Sequence, residues 1–258
     1  MRLSKKQAQL HKQAMDLVHS DRRLSEKDRY FILEHYQEST GALNSLSGAF
    51  FTPEGMARDF AIEVNDESSI IDLCAGIGRL GFALEMKAKR LVCVEYCPAY
   101  IEVGKRVLPN AEWIQGDVFD SNLYQGVGRF DWAISNPPFG NIRTGEYSGS
   151  YTGGLFEYRV IEMASRISDF GAFIIPQESA PFRYSGEQCY RKQSSERHDK
   201  FRDQTGIVLG NNCGIDTSVY RDEWHGASPK VEIVVCEFER PACSEEEQLT
   251  LFGEEEAA

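Results

Sequence analysis

The sequence has no apolar run approaching the length of a bilayer span, so no part of its 258 residues reads as a membrane-crossing helix. The opening "MRLSKKQAQLHKQ" does not read as a secretory signal, and the expectation is a soluble, cytoplasmic protein. There are seven cysteines but no Cys-x-x-Cys pair. Cys93 and Cys97 stand with three residues between them and no matching histidine cluster, which argues for reduced thiols and against a structural metal. Positive charge is scarce: 28 Lys and Arg face 40 Asp and Glu, for a net charge of -12. Taken alone, that disfavours a nucleic-acid partner. The deficit is uneven, however. Residues 245 to 256 hold six Glu and no Lys or Arg, so half of the excess lies in the last few residues. No internal repeat is visible.

What is present is ordinary for a globular chain, with 41% hydrophobic and 26% charged residues. Residues 4 to 38 read as two helices, the second with Ser25 as N-cap and Asp28 three residues on. Thr52 and Pro53 open a third, Thr as cap and Pro in the first turn, with Met56, Phe60 and Val64 as its buried stripe. From Ser69 the rhythm alternates. "SIIDLC", "RLVCVEY", "AEWIQGD", "FDWAIS" and "GAFIIP" read as strands, with helices "RLGFALEMKA", "AYIEVGKRVL" and "LFEYRVIEMASRI" among them. Such alternation implies parallel strands joined by crossover helices. "GIVLGNN" and "KVEIVVCEF" follow with no clear helix between them and are expected to pair antiparallel at the far side. The expected fold is α/β and Rossmann-like: a mostly parallel seven-stranded sheet, its last strand antiparallel, with helices on both faces. The expected domains are a helical extension over 1–46, the main domain over 47–241, and an acidic tail over 242–258 that reads as disordered.

The first strand runs into "DLCAGIGRLG", where Gly76, Gly78 and Gly81 satisfy G-x-G-x-x-G, and Glu95 ends the next strand. That pattern serves a nicotinamide cofactor as well as S-adenosylmethionine. Three features favour the latter. Asp72 precedes the glycines, where it would repel a pyrophosphate but attract a cationic amino group. Asp117, in "QGDVF", can accept from an adenine amine. The fourth strand ends in "NPPF", for which a dehydrogenase has no evident use.

"GAFFTP" (48–53), "DLCAGIGRLG" (72–81) and "NPPF" (136–139), in that order, resemble the amino-methylating DNA methyltransferases, in particular the gamma class of N6-adenine enzymes, over about residues 46 to 180. The resemblance implies a class I methyltransferase domain with S-adenosylmethionine as cofactor. It would place Phe50, Phe51, Thr52 and Pro53 along the cofactor, Asp72 at its amino-acid end, and Gly76 and Gly78 in the turn. Glu95 would meet the ribose, Asp117 the adenine, and Asn136 would border cofactor and substrate alike.

The N6 amine of adenine is a poor nucleophile because its lone pair is delocalised into the ring. Asn136 can accept one N–H through its side-chain carbonyl and Pro137 the other through its main-chain carbonyl. The fixed φ of Pro137 and Pro138 holds these acceptors, and Phe139 can stack on the base. Positioning and preorganised acceptors are then the main terms, with no nucleophile triad required. A base in a duplex must be flipped out to reach such a pocket. Residues 140–154, with five Gly, are expected to form a mobile loop that orders over nucleic acid through Arg143, Tyr147 and Tyr151. The stretch 183–202 carries six Lys or Arg against three acids and can hold phosphates through Arg183, Arg191 and Lys192, or be a solvated face. The short spacing between the glycine turn and NPPF leaves no room for a sizeable target-recognition domain, so sequence preference should be short or loose.

"QLTLF" in the acidic tail resembles the peptide by which bacterial proteins dock on the DNA polymerase sliding clamp. The resemblance makes Gln248 the polar contact and Leu249, Leu251 and Phe252 the apolar part. Other readings stay open: the same chemistry on RNA, methylation of a protein glutamine amide, a non-catalytic nucleic-acid or clamp-binding module, and a nicotinamide oxidoreductase.

Overall fold

Five strands alternate with helices through the middle of the chain: β1 (Ser68–Leu73), β2 (Ala88–Glu95), β3 (Glu112–Gln115), β4 (Phe130–Ser135) and β5 (Ser168–Pro176). The computed structural model describes residues 4–37, 50–143, 145–225 and 228–239. Short strands β6 (Phe182–Arg183), β7 (Arg191–Lys192) and β8 (Gly210–Asn211) and the longer β9 (Val231–Glu237) follow. The main sheet has seven strands in the order β3-β2-β1-β4-β5-β9-β8, and β6 and β7 form a separate two-stranded ribbon. β1 pairs in parallel with β2 and β4, β2 with β3, and β4 with β5. β9 runs antiparallel to both β5 and β8. This is the α/β architecture the alternation implies.

The sheet is covered on both faces, which explains why its central strands are continuous apolar runs. Ile70, Cys93, Trp132, Ile134, Ala172, Ile174 and Ile233 join one buried cluster. Their neighbours Ile71, Leu73, Val92, Val94, Ala133, Phe173, Ile175 and Val234 join the other. The first face packs on helices α1 (Lys5–Val18), α2 (Glu26–His35), α3 (Glu54–Phe60), α4 (Arg79–Leu84) and α5 (Pro98–Val107). The second packs on α6 (Phe156–Ile167) and, through Phe201, on α7 (Glu196–Thr205). Among the described residues no helix is long and apolar enough to cross a membrane.

The two N-terminal helices carry full capping boxes, Ser4 with Gln7 and Ser25 with Asp28. They are built into the first layer. Arg29 donates to Glu85 (2.7 Å) and to the Val107 carbonyl (3.1 Å), Arg106 reaches back to the Ser20 carbonyl (2.8 Å), and Arg79 donates to the Leu33 carbonyl.

Several boundaries differ from the sequence expectation. The helix expected through Ala88 stops at Leu84, because Ala88 already pairs with Ser68 in the sheet and the chain must turn before it. The strand expected over "GIVLGNN" shrinks to Gly210–Asn211, since α7 runs to Thr205 and closes on Gly206 in the left-handed region (φ 72°). A 3-10 turn, Thr217–Glu223, occupies the polar stretch before β9. Thr52 does not cap α3, whose N-cap is Pro53 without a side-chain bond. Its hydroxyl is used elsewhere.

Candidate active site

The order β2-β1-β4-β5 places a reversal of winding between β1 and β4. The chain leaves β1 through α4 on the first layer and leaves β4 toward α6 on the second. A crevice opens where successive connections depart to opposite faces. A cleft of about 370 Å³ lies there, at the carboxyl ends of β1, β2 and β4. Its walls include Phe50, Phe51, Gly76, Glu95, Asp117, Asn136, Pro138 and Arg143.

Each polar member is held by the backbone around it. Gly76, with φ of 58°, takes a conformation that side chains with a Cβ rarely adopt, and an added Cβ would stand 3.1 Å from the Phe51 ring. Its amide donates to Glu95 at 2.7 Å, and the Cys97 amide donates to the other oxygen of Glu95 at 2.8 Å. Burial raises the pKa of Glu95, and the Cys97, Gly76 and Tyr96 amides oppose that rise. The carboxylate keeps lone pairs for a diol. Asp117 accepts from the Phe119 amide at 3.0 Å and the Gly145 amide at 3.3 Å.

Asn136 sets the other wall. Its side-chain NH₂ donates twice, to the Phe50 carbonyl and to Thr52 Oγ1, each at 2.9 Å. Both amide hydrogens are therefore spent, and the side-chain carbonyl is fixed in direction. That oxygen is buried and has no hydrogen-bond partner among the described residues. An orphaned buried acceptor costs free energy unless a donor arrives. Gly140, just past the Pro-Pro-Phe turn, donates to Glu157 Oε2 at 2.9 Å, and Ser179 Oγ donates to Glu157 Oε1 at 2.8 Å. A carboxylate 1% exposed thus ties the turn to the segment after β5.

Other expected residues fall elsewhere. Asp72, 1% exposed, is not in the cleft wall. It lies toward the first turns of α4, where an added Cβ on Gly81 would sit 3.7 Å from its Oδ2. Burial drives its pKa well up, the Gly81 amide counters this, and Glu95 adds to it. The expectation that Asp72 meets the amino-acid end of a cofactor is corrected: its register on β1 turns it into the first layer with Ile70. Gly78 (φ 87°) is also outside the wall, and a Cβ there would press on Leu108 at 2.8 Å, so it serves the turn and its packing. Pro53 is buried outside the wall, and Thr52 serves by anchoring Asn136. Pro137 is buried beside Asn136, and Phe139 is half-buried against the first cluster, outside the cleft wall.

The loop after NPPF also departs from expectation. Tyr151 is 3% exposed and packs edge-on to Tyr158 and Phe201 at 5.4 and 5.5 Å, so it belongs to the core and not to a surface contact. Tyr147 gives its hydroxyl to Glu162, lies under Arg159 at 4.8 Å and meets Phe119 edge-on. Glu162 also accepts from the Ser150 and Tyr151 amides. Three donors on one buried carboxylate fasten the loop, in place of the mobility its glycines suggest. Arg143 remains exposed at the cleft. Arg183, Arg191 and Lys192 are exposed on the β6–β7 ribbon. Gln248, Leu249, Leu251 and Phe252 lie outside the described residues.

Sequence reading missed the apolar wall of the cleft, among it Tyr96, Tyr100, Val118 and Phe156, and the two buried carboxylates of α6. Tyr96 and Val118 follow directly on strand or turn positions that were read, which is the signal that marks them. Tyr100 and Phe156 carry none, and Glu157 and Glu162 look like any polar helix face.

Glu95, Asp72 and Asp117 all act on the Cys74 thiol, which burial first and then these three charges push well up. With the carboxylates of Glu95 and Asp117 in its wall and apolar sides, the cleft suits a cation on a flat ring system and is hostile to a pyrophosphate.

Residues 59–149 match the family described as Methyltransferase small domain. A ribosomal RNA small subunit methyltransferase C from Klebsiella pneumoniae is 38% identical over 82 residues, which is 30% of this chain and 23% of that protein. The chain thus spans about a quarter of the length of the curated relatives it matches. A type I restriction-modification methyltransferase subunit from Streptococcus thermophilus superposes with a TM-score of 0.57 at 14% identity, over 83% of this chain and 49% of that one. A modification subunit of a type I restriction enzyme from Vibrio vulnificus gives 0.54 at 12% identity, over 84% and 51%. The fold is the Rossmann-like α/β fold of these methyltransferases, and the cofactor is S-adenosylmethionine. The cleft has donors and acceptors that fit it: Glu95, held by two amides, could take ribose hydroxyls, Asp117 could accept from an amine, and the glycine turn closes on Phe51.

Proposed function

We propose that the protein transfers a methyl group from S-adenosylmethionine to the exocyclic N6 amine of adenine in DNA, with short or loose sequence preference. The observation that carries the proposal is Asn136. Its NH₂ is consumed by Phe50 and Thr52, so only its carbonyl oxygen is left for a ligand, and that oxygen is an unmatched acceptor at the cofactor cleft. An amine hydrogen satisfies it. The carbonyl of Pro137, fixed by the ring, takes the second hydrogen. With both N–H bonds engaged, electron density gathers on nitrogen and the lone pair leaves ring conjugation. S-adenosylmethionine supplies a methyl group on a cationic sulfur that leaves readily. When bound, it would give that methyl to the amine, the S–C bond being exchanged for an N–C bond and the extra proton of the amine going to solvent. Asn136 and the turn behind it orient the amine for in-line approach and need no strong base. Glu157 keeps the turn in register, and Arg143 stands exposed at the mouth for a phosphate.

RNA is the second reading, supported by the match to a ribosomal RNA methyltransferase. Incubation with tritiated-methyl S-adenosylmethionine and unmethylated DNA, RNA or protein, followed by digestion to nucleosides, separates the readings. Label in N6-methyladenine from DNA is expected. Label confined to RNA moves the assignment to the second reading, and label confined to protein ends both. The tail sequence "QLTLF" supports docking to the polymerase sliding clamp, through Leu251 and Phe252 in an apolar pocket and Gln248 at its rim. A tether of that kind raises the local concentration of DNA around an acidic body. Pull-down on immobilised clamp should recover the parent chain and lose the Leu251→Ala, Phe252→Ala double variant; equal recovery removes the clamp from the proposal.

A further inference from the structure

The β6–β7 ribbon carries an arrangement that the folded chain alone does not justify. Arg183 and Arg191 are direct cross-strand partners, and both are exposed. Like charges opposite one another on a ribbon repel. Arg191 has a long ion pair to Glu187 at 3.7 Å, whereas Arg183 has neither hydrogen bond nor ion pair among the described residues. Lys192 adjoins them, opposite Phe182. An anion between the guanidinium groups turns that repulsion into two attractions.

On the other face of the ribbon, with Lys192, stands an aromatic stack. Tyr190 lies on Phe182 with ring centroids 4.8 Å apart and planes at 27°, and Tyr184 is 6.2 Å away. Phe182 is 1% exposed, whereas Tyr190 keeps 39% of its surface exposed. A large ring supported from beneath and open to solvent is a stacking surface.

The ribbon is held rigidly. Glu232 on β9, 0% exposed, accepts from the Tyr184 amide (3.0 Å), the Ser185 amide (3.0 Å), Ser185 Oγ (2.7 Å) and Gln177 Nε2 (2.7 Å). Gln193 braces the other strand, its amide bonding the Pro181 carbonyl at 2.7 Å and its side chain the Gln177 carbonyl at 3.0 Å. Through Ser179 and Glu157 the same segment is tied to the turn that presents Asn136.

We infer that the β6–β7 ribbon is a landing platform for an unpaired nucleic-acid strand that crosses its edge, with Tyr190 stacking on a base beside the target and Lys192 on an adjoining phosphate at one face, and Arg183 and Arg191 gripping a further phosphate at the other. This rests on the reading that the substrate is nucleic acid. The stack selects unpaired strand because a duplex hides the faces of its bases, while phosphates are offered by both forms.

The test is equilibrium binding of the full chain to a fluorescein-labelled adenine-containing single-stranded oligodeoxynucleotide and to its duplex, by anisotropy over a salt series, alongside methyl transfer. Tyr190→Ala should weaken the single strand by about tenfold and the duplex by less than about threefold, and Tyr190→Phe should retain binding. Arg183→Ala with Lys192→Ala should weaken both forms and flatten the single-strand salt slope by about 1.4. An unchanged single-strand affinity in Tyr190→Ala, or equal losses on both forms, overturns the stacking assignment. An unchanged salt slope overturns the phosphate assignment. Arg183 and Lys192 are exposed and Tyr190 is partly so, and circular dichroism checks that each variant folds. Binding that follows these rules without methylation of nucleic acid refutes the proposed function and leaves the platform. Methylation unaffected by the variants, with unaffected binding, does the reverse.

Discussion

The direction of one side-chain amide decides what the cleft can accept. Asn136→Ala removes the fixed carbonyl and should lower kcat by roughly 10²–10³ while S-adenosylmethionine binding, followed by calorimetry, changes little. Thr52→Val keeps the shape of the side chain but removes one of the two acceptors that orient Asn136. Single-turnover rates should fall by about tenfold, a loss of the size of one hydrogen bond. Equal rates in Thr52→Val and the parent would mean that the carbonyl is not held by this contact. Asp72 makes a different kind of prediction. Burial raises its pKa above the ordinary 3.8, so the folded chain holds a proton that the unfolded chain releases. Its stabilising contribution is complete below the unfolded value and is lost as pH rises toward the folded one. Asp72→Asn, which cannot ionise, should therefore gain stability relative to the parent in urea titrations as pH rises above the ordinary carboxylate range. A gap that stays level over that rise refutes the buried, protonated carboxyl.

Among the elements, α6 does more than cover the sheet. Its two buried acids hold both ends of the connection from β4: Glu157 the Gly140 end and Glu162 the Tyr147–Tyr151 end. Glu162→Ala leaves the Ser150 and Tyr151 amides without partners and should cost about 1–3 kcal/mol of stability. Amide exchange at those two positions should accelerate, and exchange rates equal to the parent's would show that the loop does not depend on this carboxylate. These contacts mark the limit of what the sequence discloses. The strands were readable because "SIIDLC", "FDWAIS" and "KVEIVVCEF" are covered on both faces and are therefore mostly apolar, with few charged residues among them. The cleft's polar corners were readable because Gly76, Glu95, Asp117 and Asn136 follow strand ends, where topology gathers them. The loop was misread because five glycines and two tyrosines give no sign of a fastening acid on the next helix. Asp72 was misplaced because a residue one step from the glycine turn can face either layer, and only the register with Cys93 and Ile134 settles which.

For the molecule as a whole, the N-terminal helices are built against the back of the cleft wall. Tyr36, at the end of α2, packs 5.8 Å from Phe51 and 6.1 Å from Tyr100, two rings of the cleft wall that lie 5.2 Å from each other. Tyr36→Ala should destabilise the fold by about 3 kcal/mol and also weaken cofactor binding, because the cavity it leaves lies directly behind that wall. Thermal shift with and without S-adenosylmethionine separates the two effects: the ligand-induced shift should shrink as well as the basal Tm. The sheet adds a consequence in time. A polypeptide emerges from the ribosome amino end first, so β1 to β4 and the Asn136 turn are available before β9 is made. Glu232, the acid that sets the ribbon, arrives with that final strand. A nascent chain therefore acquires the carboxylate that braces the ribbon only after every other strand of the sheet has been made.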